Sequence, residues 1–361
     1  MKATKQLHDL GQSLWLDNIT RDLLTSGTLR RYRDEFSVTG LTSNPTIFDL
    51  AIRNGNAYDE SIRKKTAQDK SGEELFFDLA LEDLTQAADL FRPIYDSTEG
   101  IDGWVSLEVS PLLAYDTAKT IKEAARLHLQ ANRPNVFIKI PGTREGVPAI
   151  EEATFEGVPV NVTLLFSREQ YIAAAEAYMR GIERRIAAGR DPKIHSVASV
   201  FISRWDKAVM EKVPANLRNR LGIAIARRTY KAYRDLLKST RWQKLAAARA
   251  VPQRLLWAST GTKDPNAPDV MYVEAFAAPD TIDTIPEKTL LAFADHGQVK
   301  SAMPVDGGDA EAVLAEFARA GVEDAKLAEE LQREGAESFN KSWNDLMDCL
   351  RSKSEQLKKV S

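Results

Sequence analysis

Eight short runs rich in β-branched and aromatic residues are spaced along the chain, and most of the gaps between them are long enough to hold helices. The runs cover 13–17, 37–43, 103–110, 135–140, 159–166, 195–203, 254–259 and 280–285. Residues of this kind in runs of this length read as strands. The intervening "EELFFDLALEDLTQAADLFRPIYD", "REQYIAAAEAYMRGIERRIAAG" and "LGIAIARRTYKAYRDLL" repeat apolar residues every three or four positions, the pattern of helices with one buried face. Strands joined by helical crossovers pair in parallel. Eight of them predict an α/β fold, the (β/α)8 TIM barrel. An open doubly wound sheet is the rival, but it usually carries a glycine-rich phosphate turn after its first strand. No G-x-G-x-x-G follows any strand here.

Beyond about residue 307 the chain alternates charged and apolar residues without a strand-like run. This predicts two or three extra C-terminal helices packed outside the barrel. With no low-complexity linker, 1–361 reads as a single barrel domain and 307–361 as its helical extension. At 361 residues, 43% hydrophobic and 28% charged, the chain has the composition of an ordinary globular protein.

A net charge of −3 carries no basic footprint, so nucleic acid is not an expected partner. No run of about 18 apolar residues is present to span a membrane, and the first residues lack the apolar core of a secretory signal. One cysteine, Cys349, cannot form an intramolecular disulfide, which points to the cytoplasm, and it is expected to be a buried, inert thiol. His8, His128, His195 and His296 are scattered without ligand spacing. Neither a metal nor a cofactor is therefore expected.

Side chains on a barrel strand alternate between the axis and the helices, and the chemistry of such barrels gathers at the C-terminal ends of strands. Along 13–17, Trp15 and Asp17 share a face against Leu14 and Leu16. Along 103–110, Ser106 and Glu108 oppose Leu107 and Val109. Phe137 and Lys139 oppose Ile138 and Ile140, while Asn161 and Thr163 oppose Val160, Val162 and Leu164. Thr42 and Asn44 share a face at the end of the second strand, and the sixth and seventh strands offer Ser199 and Ser259. The predicted inward cluster is Asp17, Asn44, Glu108, Lys139, Asn161, Thr163, Ser199 and Ser259. Buried polar groups are costly unless paired, so eight strand-end positions sharing one pattern argue for a site.

Lys139 is the informative member. A lysine with two inward carboxylates can be a plain buried ion pair. It can also be an amine whose pKa is lowered by an apolar wall, leaving a nucleophile able to form a Schiff base with a carbonyl. That chemistry needs a proton shuttle for loss of water and a base for carbon–carbon cleavage. Glu108 and Asp17 are available for those tasks.

The motifs "WLDNITR" (15–21), "GLTSNPTIF" (40–48), "SLEVSP" (106–111), "NVFIKIPGTREG" (135–146), "VNVTLLFS" (160–167), "FISRWD" (201–206), "WASTGTK" (257–263) and "DTIPEKTL" (283–290) occur in this order. Together they resemble the transaldolase family. The resemblance implies a Schiff-base transferase of the pentose phosphate pathway. Such an enzyme moves a dihydroxyacetone unit from sedoheptulose 7-phosphate or fructose 6-phosphate to glyceraldehyde 3-phosphate or erythrose 4-phosphate. Matched by motif, Lys139 is the Schiff-base lysine, and Glu108 is an acid/base acting through a water held by Thr163. Asp17 moves the proton of the hydroxyl at the cleaved bond. Asn44, Asn161 and Ser199 line the pocket of the three-carbon unit.

For the phosphate, Arg204 in "FISRWD" matches the family's arginine, and a guanidinium fork suits that task. Part of the family has Ser-x-Arg after the seventh strand. Here "STGTK" keeps a serine, Ser259, without the arginine, and Lys263 could supply the charge or be a solvated loop residue. The expected partners are sugar phosphates, and the outer helices could cover the barrel or form a homodimer face. Two other functions remain open from the residues alone: a lysine aldolase that releases the three-carbon unit, and a non-catalytic sugar-phosphate-binding barrel.

Overall fold

The computed structural model describes residues 2–359, so residues 1, 360 and 361 of the predicted span lie outside the described residues. Eight parallel strands close in chain order: β1 Ser13–Leu16, β2 Val38–Leu41, β3 Val105–Glu108, β4 Val136–Pro141, β5 Val160–Leu165, β6 Ser196–Phe201, β7 Gln253–Ala258 and β8 Thr281–Ile285. Each falls within a residue or two of a predicted run. The barrel shuts through β1 and β8, with Trp15 opposite Thr284 and Leu16 opposite Ile285.

Strand alternation splits the core in two. Leu14, Leu16, Leu107, Ile138, Ile140, Val160 and Val162 pack outward with the surrounding helices. Trp15, Phe137, Val197, Leu256 and Ile282 turn to the axis. The lower end of the axis is closed by a polar plug, in which Asp102 accepts from Ser13 Oγ at 2.5 Å and from Trp15 Nε1 at 2.9 Å. Above it, Trp104 stacks on Phe137 with ring centroids 3.9 Å apart, and Trp15 lies 6.2 Å from the same ring. This aromatic layer fills the axis beneath the C-terminal ends of the strands, where the chemistry of such barrels gathers.

One strand departs from strict alternation. Leu164 was expected on the outer face with Val162, yet it belongs to the inner cluster. Its φ is 59°, and the β5–β6 register shifts between Val162 and Leu165. A bulge of this kind turns one extra side chain inward.

The outer helices follow from their sequences. Arg168–Ala187 starts at Ser167, whose Oγ accepts from Gln170 N, while the Gln170 side chain accepts from Ser167 N. Two helices lie beyond β8 and the 287–296 helix: Ala310–Arg319 and the 36-residue Asp324–Lys359. Both sit outside the ring of strands, and the second also crosses its upper mouth. There Gln332 Nε2 donates to the carbonyls of Gly142 and Leu164, at 3.0 and 2.9 Å. Further along, Thr46 Oγ1 bonds Ser342 Oγ at 2.8 Å, and Trp343 Nε1 donates to Glu73 at 3.1 Å. Cys349 is a buried, free thiol on this helix. No helix among the described residues is long and apolar enough to cross a membrane.

Candidate active site

Above the aromatic layer the axis becomes polar. Ser199 Oγ donates to Asn161 Oδ1 at 2.7 Å, and Asn161 Nδ2 donates to Ser106 Oγ at 3.1 Å, forming a chain across β6, β5 and β3. One residue pair higher, Lys139 and Glu108 face each other in register across the β3–β4 ladder. Lys139 Nζ lies 2.8 Å from Glu108 Oε2 and 3.2 Å from the Ser43 carbonyl. Lys139 is 6% exposed and Glu108 5%, so the pair is out of bulk water. The amine does not stand alone against an apolar wall, as its strand suggested. It is held by a carboxylate and a backbone oxygen.

A cavity of about 310 Å³ opens above this pair. Of the ten residues singled out from the sequence, Asp17, Asn44, Lys139, Thr163, Ser199, Arg204 and Ser259 line it. Glu108 and Asn161 sit behind that lining and meet the cavity through Lys139 and Ser199. Lys263 is exposed beside the mouth, close enough for its charge to act on Asp17. Asn44 also has a structural task, because its Oδ1 accepts from Ile47 N at 3.2 Å and caps the Pro45–Asn54 helix. Ser259, at φ 58°, shares a 2.8 Å hydrogen bond with Ser203.

Two buried oxygens, Glu108 Oε1 and Thr163 Oγ1, have no protein hydrogen-bond partner. Asp17 ends up in a poorly solvated position. Burial pushes its carboxyl up to about 6, while Lys263 and Lys139 pull it down and Glu287 adds to the rise. Desolvation also lowers the Lys263 ammonium; Asp17 opposes that fall, and Lys207 and Arg204 deepen it. Arg204, Lys207 and Lys263 thus gather positive charge on one side of the mouth. A buried amine, a carboxyl group against it, a second carboxyl raised toward neutrality and a cationic rim are groups from which a Schiff-base aldol site can be built.

The family model for "Transaldolase/Fructose-6-phosphate aldolase" matches residues 14–350. The chain belongs to this transaldolase/fructose-6-phosphate aldolase family. It is 44% identical over 360 residues to a transaldolase of Parafrankia sp. (strain EAN1pec), covering 96% of this chain and 98% of that protein. A transaldolase of Thermobifida fusca (strain YX) is 45% identical over 353 residues, covering 95% and 96%. One from Thiobacillus denitrificans is 42% identical over 355 residues, covering 96% and 99%.

Within this family member, the sequence reading missed part of the cavity wall. Thr284, and Thr42, which shares a face with Asn44 but is left out of the predicted inward cluster, line it and share a 3.0 Å hydrogen bond between their hydroxyls. Strand alternation could have found Thr284 too, since it stands in register with inward-facing Trp15. Ser338 and Phe339 of the C-terminal helix also line the cavity. No local pattern in the sequence signals where that helix docks.

Proposed function

We propose that this family member is a transaldolase that carries a dihydroxyacetone unit on Lys139. The observation that carries the reading is the Lys139–Glu108 pair, 2.8 Å apart at the floor of a polar cavity in a barrel of this family. Passing a proton from Lys139 to Glu108 frees the amine to attack the C2 carbonyl of a ketose phosphate. Glu108 then protonates the departing hydroxyl of the carbinolamine, water leaves, and the imine forms. The unpartnered Glu108 Oε1 and Thr163 Oγ1 suit a relay through one water.

Asp17 takes the proton of the C4 hydroxyl, the C3–C4 bond breaks, and its electron pair moves into the imine to give an enamine. The aldose phosphate leaves and an acceptor such as erythrose 4-phosphate enters. The enamine attacks the acceptor carbonyl, Asp17 returns the proton to the new alkoxide, and hydrolysis releases the longer ketose. Asn44 and Ser199 hold the hydroxyls of the three-carbon unit, with Asn161 orienting Ser199 from behind. Arg204, Ser259 and Lys263 receive the phosphate. The single cysteine supports a cytoplasmic setting.

The test is covalent trapping. Fructose 6-phosphate with borohydride should leave a three-carbon adduct on the peptide bearing Lys139, and addition of erythrose 4-phosphate should yield sedoheptulose 7-phosphate. Release of free dihydroxyacetone without transfer would instead make the protein an aldolase. Tight sugar-phosphate binding with no adduct would make it a binding protein.

A further inference from the structure

Arg204 has an unusual setting for a charged side chain. It lines the cavity, and burial lowers its pKa, with Glu334 acting in the opposite direction. None of the ion pairs or hydrogen bonds among the described residues neutralises its guanidinium. It lies instead beside two aromatic rings set at 63° to each other, with Cζ 5.6 Å from the Phe201 centroid and 5.8 Å from the Phe339 centroid. Phe201 ends β6 on the barrel. Phe339 comes from the C-terminal helix, more than a hundred residues later, and its ring is 6.4 Å from that of Phe201.

The same helix makes room for the guanidinium. A Cβ on Gly335 would lie 3.0 Å from Leu164 Cδ2 and 3.2 Å from Arg204 Nη1. Glycine weakens a helix interior, and here its missing side chain lets the helix settle against Arg204 and the bulged Leu164. The helix is pinned at this level by the Gln332 bonds to Gly142 and Leu164.

From these contacts we infer that the C-terminal helix sets the position of the phosphate-binding arginine, with Phe339 as the positioning residue and Gly335 as the clearance for it. The inference rests on the reading of Arg204 as the phosphate site. Two rings within cation–π range attract a guanidinium without taking up its N–H donors, which stay free for a planar, two-point contact with phosphate oxygens. An arginine held this way needs no carboxylate to fix it, so no competing anion must be displaced when substrate arrives.

The experiment compares Phe339→Ala, Phe339→Leu and Phe339→Tyr in the full chain, with inorganic phosphate as a competitive probe. Phe339→Ala and Phe339→Leu should raise KM for fructose 6-phosphate about three- to tenfold and weaken phosphate inhibition by the same factor, with a smaller change in kcat. Phe339→Tyr restores a ring face and should return both to within about twofold of the parent. Added to Arg204→Ala, Phe339→Ala should change KM by less than about twofold, because the two act through one guanidinium.

If Arg204→Ala weakens phosphate while Phe339→Ala leaves KM and inhibition unchanged, the role of the helix is overturned and the proposed function stands. If Arg204→Ala itself leaves phosphate binding unchanged, the phosphate assignment falls and takes the helix's role with it. Borohydride trapping of unphosphorylated dihydroxyacetone on Lys139 should persist in Phe339→Ala, and its loss would show that the helix acts on the amine instead.

Discussion

Lys139 Nζ and Glu108 Oε2 lie 2.8 Å apart in register on adjacent strands, at the floor of the cavity. A charge pair this deeply buried gains little over an apolar pair, but removing one partner strands the other. Lys139→Ala should therefore abolish turnover and also destabilise the protein by about 3 kcal/mol. Adding Glu108→Gln to it should recover most of the stability and none of the activity. Denaturant titration of the single and double variants checks this, and an unchanged midpoint in Lys139→Ala would contradict the pairing.

Asp17 predicts the acid limb of the pH profile. In the role proposed for it, it must be ionised to accept the hydroxyl proton, and burial raises its carboxyl to about 6. kcat/KM should fall below about pH 6, and Asp17→Asn should slow carbon–carbon cleavage by about 10²–10⁴-fold. Imine formation does not need this group, so borohydride should trap a six-carbon adduct in the variant in place of the three-carbon one. A three-carbon adduct formed at the parent rate would remove Asp17 from the cleavage step.

Asp283 makes a stability prediction. It stands in register with Leu14 and Trp257, both in the outward-packing core, and is fully buried with neither carboxyl oxygen hydrogen-bonded. Burial raises it from 3.8 to about 7; Thr260 opposes the rise and Asp17 adds to it. A carboxyl raised on folding holds its proton more tightly in the fold. Its contribution to stability is greatest below pH 3.8 and is lost as pH rises through 7, by at most about 4 kcal/mol. Asp283→Asn should flatten the fall in Tm between pH 5 and pH 8, whatever its effect at any single pH. An identical slope in parent and variant would show that the group does not titrate in this range.

Gly146 tests the loop that follows the lysine strand. Pro141 ends β4, Thr143 Oγ1 accepts from Gly146 N at 3.0 Å, and a Cβ on Gly146 would collide with the Pro141 carbonyl oxygen. The obstacle is backbone, two residues after Lys139, and cannot rotate away. Gly146→Ala should cost about 1–3 kcal/mol in stability and lower kcat/KM, since relief of the clash displaces the strand end. Parent-like Tm and kinetics together would show that the turn yields freely.

The eight strands were legible because each pairs an apolar outer face with a distinct inner one. Ser106 with Glu108, and Phe137 with Lys139, give the facing directly, and the structure agrees in register. The same rule failed at Leu164, because a bulge depends on how β5 meets β6 and on the helix above it, which strand composition does not encode. It was silent on Asp283, whose outward position in the sheet disguises a buried acid. It could not place Ser338 or Phe339, because an amphipathic pattern names the face a helix buries and not the surface that receives it.

The C-terminal helix follows the last strand of a cylinder that is already closed, and it still supplies part of the cavity wall. A segment in that position can be replaced or resculpted without rethreading any of the parallel ladder. Under the proposed function, selectivity among substrates can then drift through the roof while the floor stays as it is.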